Sequence, residues 1–178
     1  MSVIAYHGTS TAAALSIDGG QIKFSQNKYD WLGDGAYFFE SGRSRASDWA
    51  AQLHPAGWAV FEASISTAGS LDLADPASVQ LMTWEERRLR REHEERGEEV
   101  PGQLENGNHN LDRLVINRLC EHLEAAGIQV KTVRGVFQEG DPPYPGSALH
   151  GRSHVQIAVR DLDAIHGLKV VSTIQNPS

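Results

Sequence analysis

The segment Trp31-Leu-Gly-Asp-Gly-Ala-Tyr37-Phe-Phe-Glu-Ser-Gly42 constrains the fold of this chain more than any other. Gly33 and Gly35 bracket a turn of a kind that favours glycine, and Ala36 to Phe39 follows as an apolar, aromatic run with the character of a strand. Two other stretches frame it, Tyr6-His7-Gly8-Thr9-Ser10 near the start and Ser153-His154-Val-Gln156-Ile-Ala-Val159 near the end. A histidine leaving an early strand, a tyrosine after a Gly-x-Gly turn and a polar residue on a late strand converge only if the chain folds back on itself.

The remaining sequence supports such a fold. Val3 to Tyr6 reads as a strand, and Ser10 caps a helix to Ile17 that Gly19-Gly20 stops. Ser41 to Leu53 reads as a second helix. From Trp58 to Ser66, Ala59, Phe61, Ala63 and Ile65 alternate as on a half-buried strand. Asp75 to Gly97 predicts a charged helix, Glu98 to Asn110 a flexible loop, and Leu111 to Leu123 an amphipathic helix ending at Gly127. Ile128 to Phe137, His154 to Val159 and Gly167 to Ile174 are strand-like, and the Pro-rich stretch from Gln138 to Gly151 is a loop. With no internal repeat, a single α+β domain over residues 1–178 is the expectation.

At 178 residues the chain can bury roughly 70% of its unfolded surface without disulfides or metal. Cys120 is the lone cysteine, so no internal disulfide forms, and no charged-then-apolar leader precedes the first strand-like run. These features lead to the expectation of a cytoplasmic protein, and no apolar run reaches the roughly 20 residues of a membrane span. A net charge of −7 argues against a broad phosphate-binding face. Arg87, Arg88, Arg90 and Arg91 do cluster, but acidic neighbours surround them, and Glu86 with Arg90 and Arg91 with Glu95 are spaced to pair along a solvated helix. Cys120 and His122 lie at i,i+2 and diverge on a helix, so no metal is expected, and Gly33-x-Gly35 precedes a strand rather than following one, which argues against a Rossmann dinucleotide site.

His7-Gly8-Thr9, Gly33-Asp-Gly35-Ala-Tyr37-Phe38, Val60 to Ser66 with Leu71-Asp-Leu73, and Gln156-Ile-Ala-Val-Arg-Asp161 together resemble the ADP-ribosyltransferase superfamily, in its histidine-tyrosine branch. That branch includes poly(ADP-ribose) polymerases and diphtheria-type toxins. The resemblance covers most of the chain outside about residues 75–127, and the order of the motifs is more specific than any one of them. It implies two small packed β-sheets with flanking helices and a helical insertion.

The resemblance also implies roles. His7 would hydrogen-bond the NAD ribose, the backbone of Gly8 and the Gly35 turn would hold the donor, and Thr9 would lie near the adenosine ribose. Without the resemblance, His7 reads as a histidine closing a strand and Thr9 as a helix cap. Tyr37 would form one aromatic wall for the nicotinamide ring. The second wall falls by spacing on Asp48, and a one-residue insertion around Ser41-Gly42 brings Trp49 into its place; Trp49 also fits a plain helix-face core residue.

Many members carry glutamate where this chain has Gln156. A glutamine oxygen accepts the same ribose hydrogen bond without charge, a difference of about 1 kcal/mol or more that slows chemistry near tenfold. His154, on the same strand face two residues earlier, would face the acceptor and take its proton, or else order the preceding loop. Tyr144, in the loop where the family keeps its acceptor-recognition segment, is the candidate for acceptor contact, or is a loop aromatic tucked on the sheet. The implied activity is mono-ADP-ribosyl transfer from NAD, consumed as substrate, to a macromolecular acceptor, protein or nucleic acid. The rivals are a NAD glycohydrolase and an inactive binding module. The helix Leu111 to Leu123 either packs on the domain or docks an inhibitor, an immunity partner or a second copy.

Overall fold

The computed structural model describes residues 1–18, 22–27, 29–100 and 109–175. The elements run β1 (Ser2–Ser10), α1 (Thr11–Asp18), β2 (Ala36–Glu40), α2 (Arg43–Leu53), β3 (Gly57–Ser66), β4 (Ser70–Asp72), α3 (Pro76–Arg96), α4 (Asn110–Ala125), β5 (Thr132–Phe137), β6 (His154–Val159), a short 3₁₀ turn and β7 (Ile165–Gln175). The Gly19-Gly20 stop and most of the expected 98–110 loop lie outside the described residues.

The protein is α+β, and its described residues form four helices around one seven-stranded mixed sheet in the order β4-β5-β6-β2-β1-β3-β7. This corrects the expectation of two separate sheets, for a local reason. Strands β1 and β2 pair only through Ala5 with Glu40 and Tyr6 with Phe39. That narrow seam joins a β4-β5-β6-β2 half to a β1-β3-β7 half. Beyond it β1 runs on along β3 to Ser10, while β2 stays with β6 from Ala36 to Phe39, so the two strands part.

The two halves share one apolar set across the seam and bury others beside it. Ala5, Ala36, Phe38, Ala63, Ile65, Ile157 and Val159 form a core spanning the seam. On β3, Ala59, Phe61, Ala63 and Ile65 are buried as their alternation predicts, and Val60 is buried too because α2 covers the other face with Ala46 beside Phe39. The amphipathic α4 packs Ile116, Leu119 and Cys120 on Leu71, Val133 and Ala158, so packing on the domain is its observed role. Cys120 is a core residue, its thiol pushed up to about 11 by burial.

The charged helix has the ends its sequence predicts. Asp75 caps α3 by accepting from the Ala77 N–H at 2.9 Å, Pro76 opens it, and Gly97 closes it at φ 66°. Its outer face carries the Glu86–Arg90 pair and an Arg88–Glu92 pair at 3.0 Å, while Glu85 is buried against His122 of α4 at 2.7 Å. Several boundaries moved, the first strand most, since β1 runs on to Ser10 along β3 instead of ending at Tyr6. α2 begins at Arg43 because Ser41 turns the chain at φ 53°, and β5 begins only at Thr132. Among the described residues, no helix is long and apolar enough to cross a membrane.

Candidate active site

Where β1 and β2 part, a cleft of about 390 Å³ opens, lined among others by His7, Gly8, Tyr37, Trp49 and Gln156. These come from β1, β2, α2 and β6, so residues far apart in sequence converge as the motifs require. Beyond Tyr6 the β2-facing edge of β1 has no registered strand partner, and His7 bridges the opening instead.

The His7 ring donates from Nδ1–H to the Tyr37 carbonyl at 2.8 Å. A carbonyl only accepts, so this bond fixes the tautomer and leaves Nε2 as an acceptor. Burial holds the His7 pKa below its ordinary value, against the smaller opposing effect of that backbone bond. The ring is therefore neutral, suited to accept from a ligand hydroxyl.

Gly8 allows α2 to approach the strand. A Cβ there would lie 2.3 Å from the Ala46 carbonyl oxygen and 3.0 Å from the Ala50 methyl group. Both alanines are fully buried, and the close approach brings Trp49 to the cleft wall while its other contacts join the cluster of Phe39, Ala46 and Val60. Trp49 thus lines the cleft and packs into the core at once.

Tyr37 is held by the turn before it. Its hydroxyl donates to the Gly33 carbonyl at 2.8 Å and accepts from the Leu32 N–H at 2.9 Å. Burial raises the phenol pKa well above its ordinary value, with the Asp30 carboxylate adding to the effect. Its proton is committed, so Tyr37 serves as a fixed ring rather than an acid. The turn is fastened in its own right. Gly33 sits at φ 80°, Asn117 of α4 accepts from the Asp34 N–H at 2.9 Å, and Arg113 pairs with Asp34 at 2.6 Å. Helix α4 therefore buttresses the turn that holds Tyr37.

On β6, Gln156 lies opposite Phe39 on one side and Gly135 on the other. Its amide nitrogen is 2.8 Å from His154 Nε2, while His154 Nδ1–H donates to the Arg152 carbonyl at 2.9 Å. An amide NH₂ only donates, so His154 Nε2 is the acceptor and both ring nitrogens are engaged. Burial also lowers the His154 pKa. The ring thus holds the end of the preceding loop at Arg152 and the Gln156 amide nitrogen, and leaves the Gln156 oxygen as the acceptor.

Four anticipated site residues do not line the cleft: His154 stands behind Gln156, and Gly35, Thr9 and Tyr144 lie elsewhere. Gly35 exchanges backbone bonds with Ser25 at 2.8 and 3.3 Å, and a Cβ there would strike the Val159 carbonyl at 2.8 Å, so it serves strand packing. Thr9 is buried on β1 opposite Ala59. Tyr144 is 61% exposed on the outer loop.

Sequence reasoning passed over the charged residues that line the cleft, Lys23, Asp30, Arg45 and Glu139, of which the last two form a pair. Arg45 of α2 pairs with Glu139, just past β5, and its guanidinium carbon stands 5.6 Å from the Phe39 ring centroid. Arg45 Nε is buried with no hydrogen-bond partner among the described residues, a donor that a ligand oxygen would satisfy. Spacing along one strand could not reveal this pair, because a crossing helix makes it. No family model matches the chain, and no curated protein matches it.

Proposed function

We propose that the cleft binds the nicotinamide-ribose end of NAD and that the protein is a mono-ADP-ribosyltransferase with an ADP-ribosyltransferase-like fold of the histidine-tyrosine kind. The observation that carries this reading is the convergence of His7, Gly8, Tyr37, Trp49 and Gln156 on one opening between parted strands. NAD is consumed as substrate, and the acceptor is a macromolecule, protein or nucleic acid.

In this reading the Tyr37 and Trp49 rings clasp the flat nicotinamide by offset stacking. The free edge of β1 at Gly8 offers backbone groups to its amide. His7 Nε2 and Gln156 Oε1 accept from ribose hydroxyls. As the C1′–N bond breaks, its electron pair leaves with nicotinamide and positive charge develops at C1′, which the Gln156 carbonyl dipole faces. A neutral amide supports this less well than a carboxylate, which favours transfer of single ADP-ribose units over long chains. A lone buried thiol suits a reducing cytoplasm, which we take as its site of action.

Incubation of the purified protein with labelled NAD and cell lysate, followed by protease or nuclease digestion, tests the reading. Labelled macromolecule and released nicotinamide are expected. Tyr144, exposed and off the cleft, favours one second reading, in which water is the acceptor and the protein is a NAD glycohydrolase. Free ADP-ribose without labelled macromolecule would establish it. Tight NAD binding with no nicotinamide release would leave a binding module.

A further inference from the structure

Resting on the NAD-cleaving reading, we propose that Glu139 is a catalytic residue, the carboxylate that takes the proton from the incoming acceptor. Neither Gln156 nor His154 fills that role, since one is a neutral amide and the other has both ring nitrogens engaged. Among the described residues that line the cleft, the carboxylates are Asp30 and Glu139. Asp30 is 5% exposed and turned into its own loop, accepting from the Ser25 hydroxyl at 3.0 Å and the Asn27 N–H at 2.6 Å. Glu139 is 30% exposed at its side chain.

The sheet carries Glu139 to the right side of the cleft. Gly135 lies opposite Gln156 and Phe137 opposite His154, so positions 135 and 137 share the Gln156 face, and Glu139, two residues past the end of β5, lines the same cleft. The continuation is pinned, because the Arg152 N–H donates to the Glu139 carbonyl at 2.9 Å. Arg152 in turn accepts from His154, and His154 from Gln156, so one chain of hydrogen bonds ties Glu139 to the amide that faces the ribose. The carboxylate pairs with Arg45, whose guanidinium lies over the ring of Phe39, the residue opposite Gln156 on β2. The ion pair with Arg45 orients the carboxylate on that side of the cleft, as a proton acceptor must be.

The step balances simply. The C1′–N bond breaks and its electron pair leaves with nicotinamide. A lone pair of the acceptor's O–H or N–H group forms the new bond to C1′, and the proton released passes to Glu139 and then to solvent. Glutamine at 156 holds the sugar, and the charge is supplied from the neighbouring strand.

The test follows labelled NAD turned over by the full chain with lysate as acceptor, counting bound plus free ADP-ribose, alongside NAD affinity and thermal stability. Glu139→Gln is expected to lower product formation by about a hundredfold while NAD affinity changes less than threefold. Formate at high concentration is expected to restore part of the rate in Glu139→Ala. Arg45→Met, which removes the ion pair but keeps the carboxylate, is expected to lose no more than about tenfold. Glu139→Gln turning over like the parent, or Glu139→Gln and Arg45→Met losing rate, affinity and stability in parallel, would overturn the proposal and leave a structural latch. Should Glu139→Gln fail to fold, Glu139→Asp decides: slowed turnover with the fold intact supports the proposal, and unchanged turnover overturns it. If the parent chain leaves NAD intact, the NAD-cleaving reading fails and this proposal with it. Turnover by the parent together with an unaffected Glu139→Gln removes this proposal alone.

Discussion

The two walls of the cleft are built by different means. On the Tyr37 wall, functional groups are tied to main chain, the phenol to Gly33 and Leu32 and the His7 ring to the Tyr37 carbonyl, while Gly8 lets α2 pack closely on the strand. On the Gln156 wall, they are tied largely to each other, through Gln156 with His154 and Glu139 with Arg45. Main-chain anchors give a rigid, neutral surface that suits recognition of a flat ring. Side-chain anchors leave charge and protons free to redistribute, which suits the reacting end. Substitutions on the first wall should therefore alter binding, and those on the second should alter rate.

The largest expected effect breaks the first wall. Tyr37→Ala removes the ring and leaves the Leu32 N–H without its partner, and NAD affinity should fall about a hundredfold by calorimetric titration. Tyr37→Phe keeps the ring and loses only the two backbone hydrogen bonds. It should bind NAD within about threefold of the parent while unfolding about 1 kcal/mol more easily in denaturant. Equal loss of affinity in both would mean that the hydroxyl, not the ring, holds the ligand.

The second wall is sharpened by two smaller changes. Gln156→Glu puts a charge beside C1′ and should speed nicotinamide release about tenfold, read by chromatography of the products. His154→Ala frees the Gln156 amide and should lower kcat about fivefold with KM for NAD nearly unchanged. His154→Gln, whose side-chain oxygen can accept from the same amide, should recover most of that loss. A His154→Ala variant whose KM rises while kcat holds would mean the histidine contacts substrate directly.

The smallest effect separates the two histidines from the solvent-facing ones. Burial lowers the pKa of both His7 and His154 from the ordinary 6.5, so the unfolded chain binds protons that the folded chain refuses. Stability should be flat above about pH 7 and should fall as pH drops below 6.5 toward the folded-state values. Melting temperature measured across that range should show the decline, and a double replacement of His7 and His154 by asparagine should flatten it. A profile unchanged by the replacement would mean that other groups set the acid limit.

The division between the walls also explains what the sequence made legible. The Gly-x-Gly turn, the aromatic strand after it and the His-Gly pair are local patterns, and the first wall was readable from them. Gln156 was readable because it stands on a regular strand with clear flanks. Glu139 and Arg45 were not, since their meeting depends on the β5-β6 register and on the seating of α2 against Gly8. The single sheet was hidden for a similar reason: its two halves meet through only two registered pairs, whose positions no periodicity encodes. Strand β4 is three residues long and exists by parallel pairing with β5, a contact formed across the whole helical insertion. Thr9 and Gly35 carry family-like motifs, yet packing claims them.

The central claim, that this opening grips the nicotinamide end of NAD, is tested most directly by saturation-transfer NMR on the full chain with NAD. The account predicts that the nicotinamide protons receive the strongest saturation and that Tyr37→Ala abolishes it. Transfer confined to the adenine protons, or nicotinamide transfer that survives Tyr37→Ala, would contradict it.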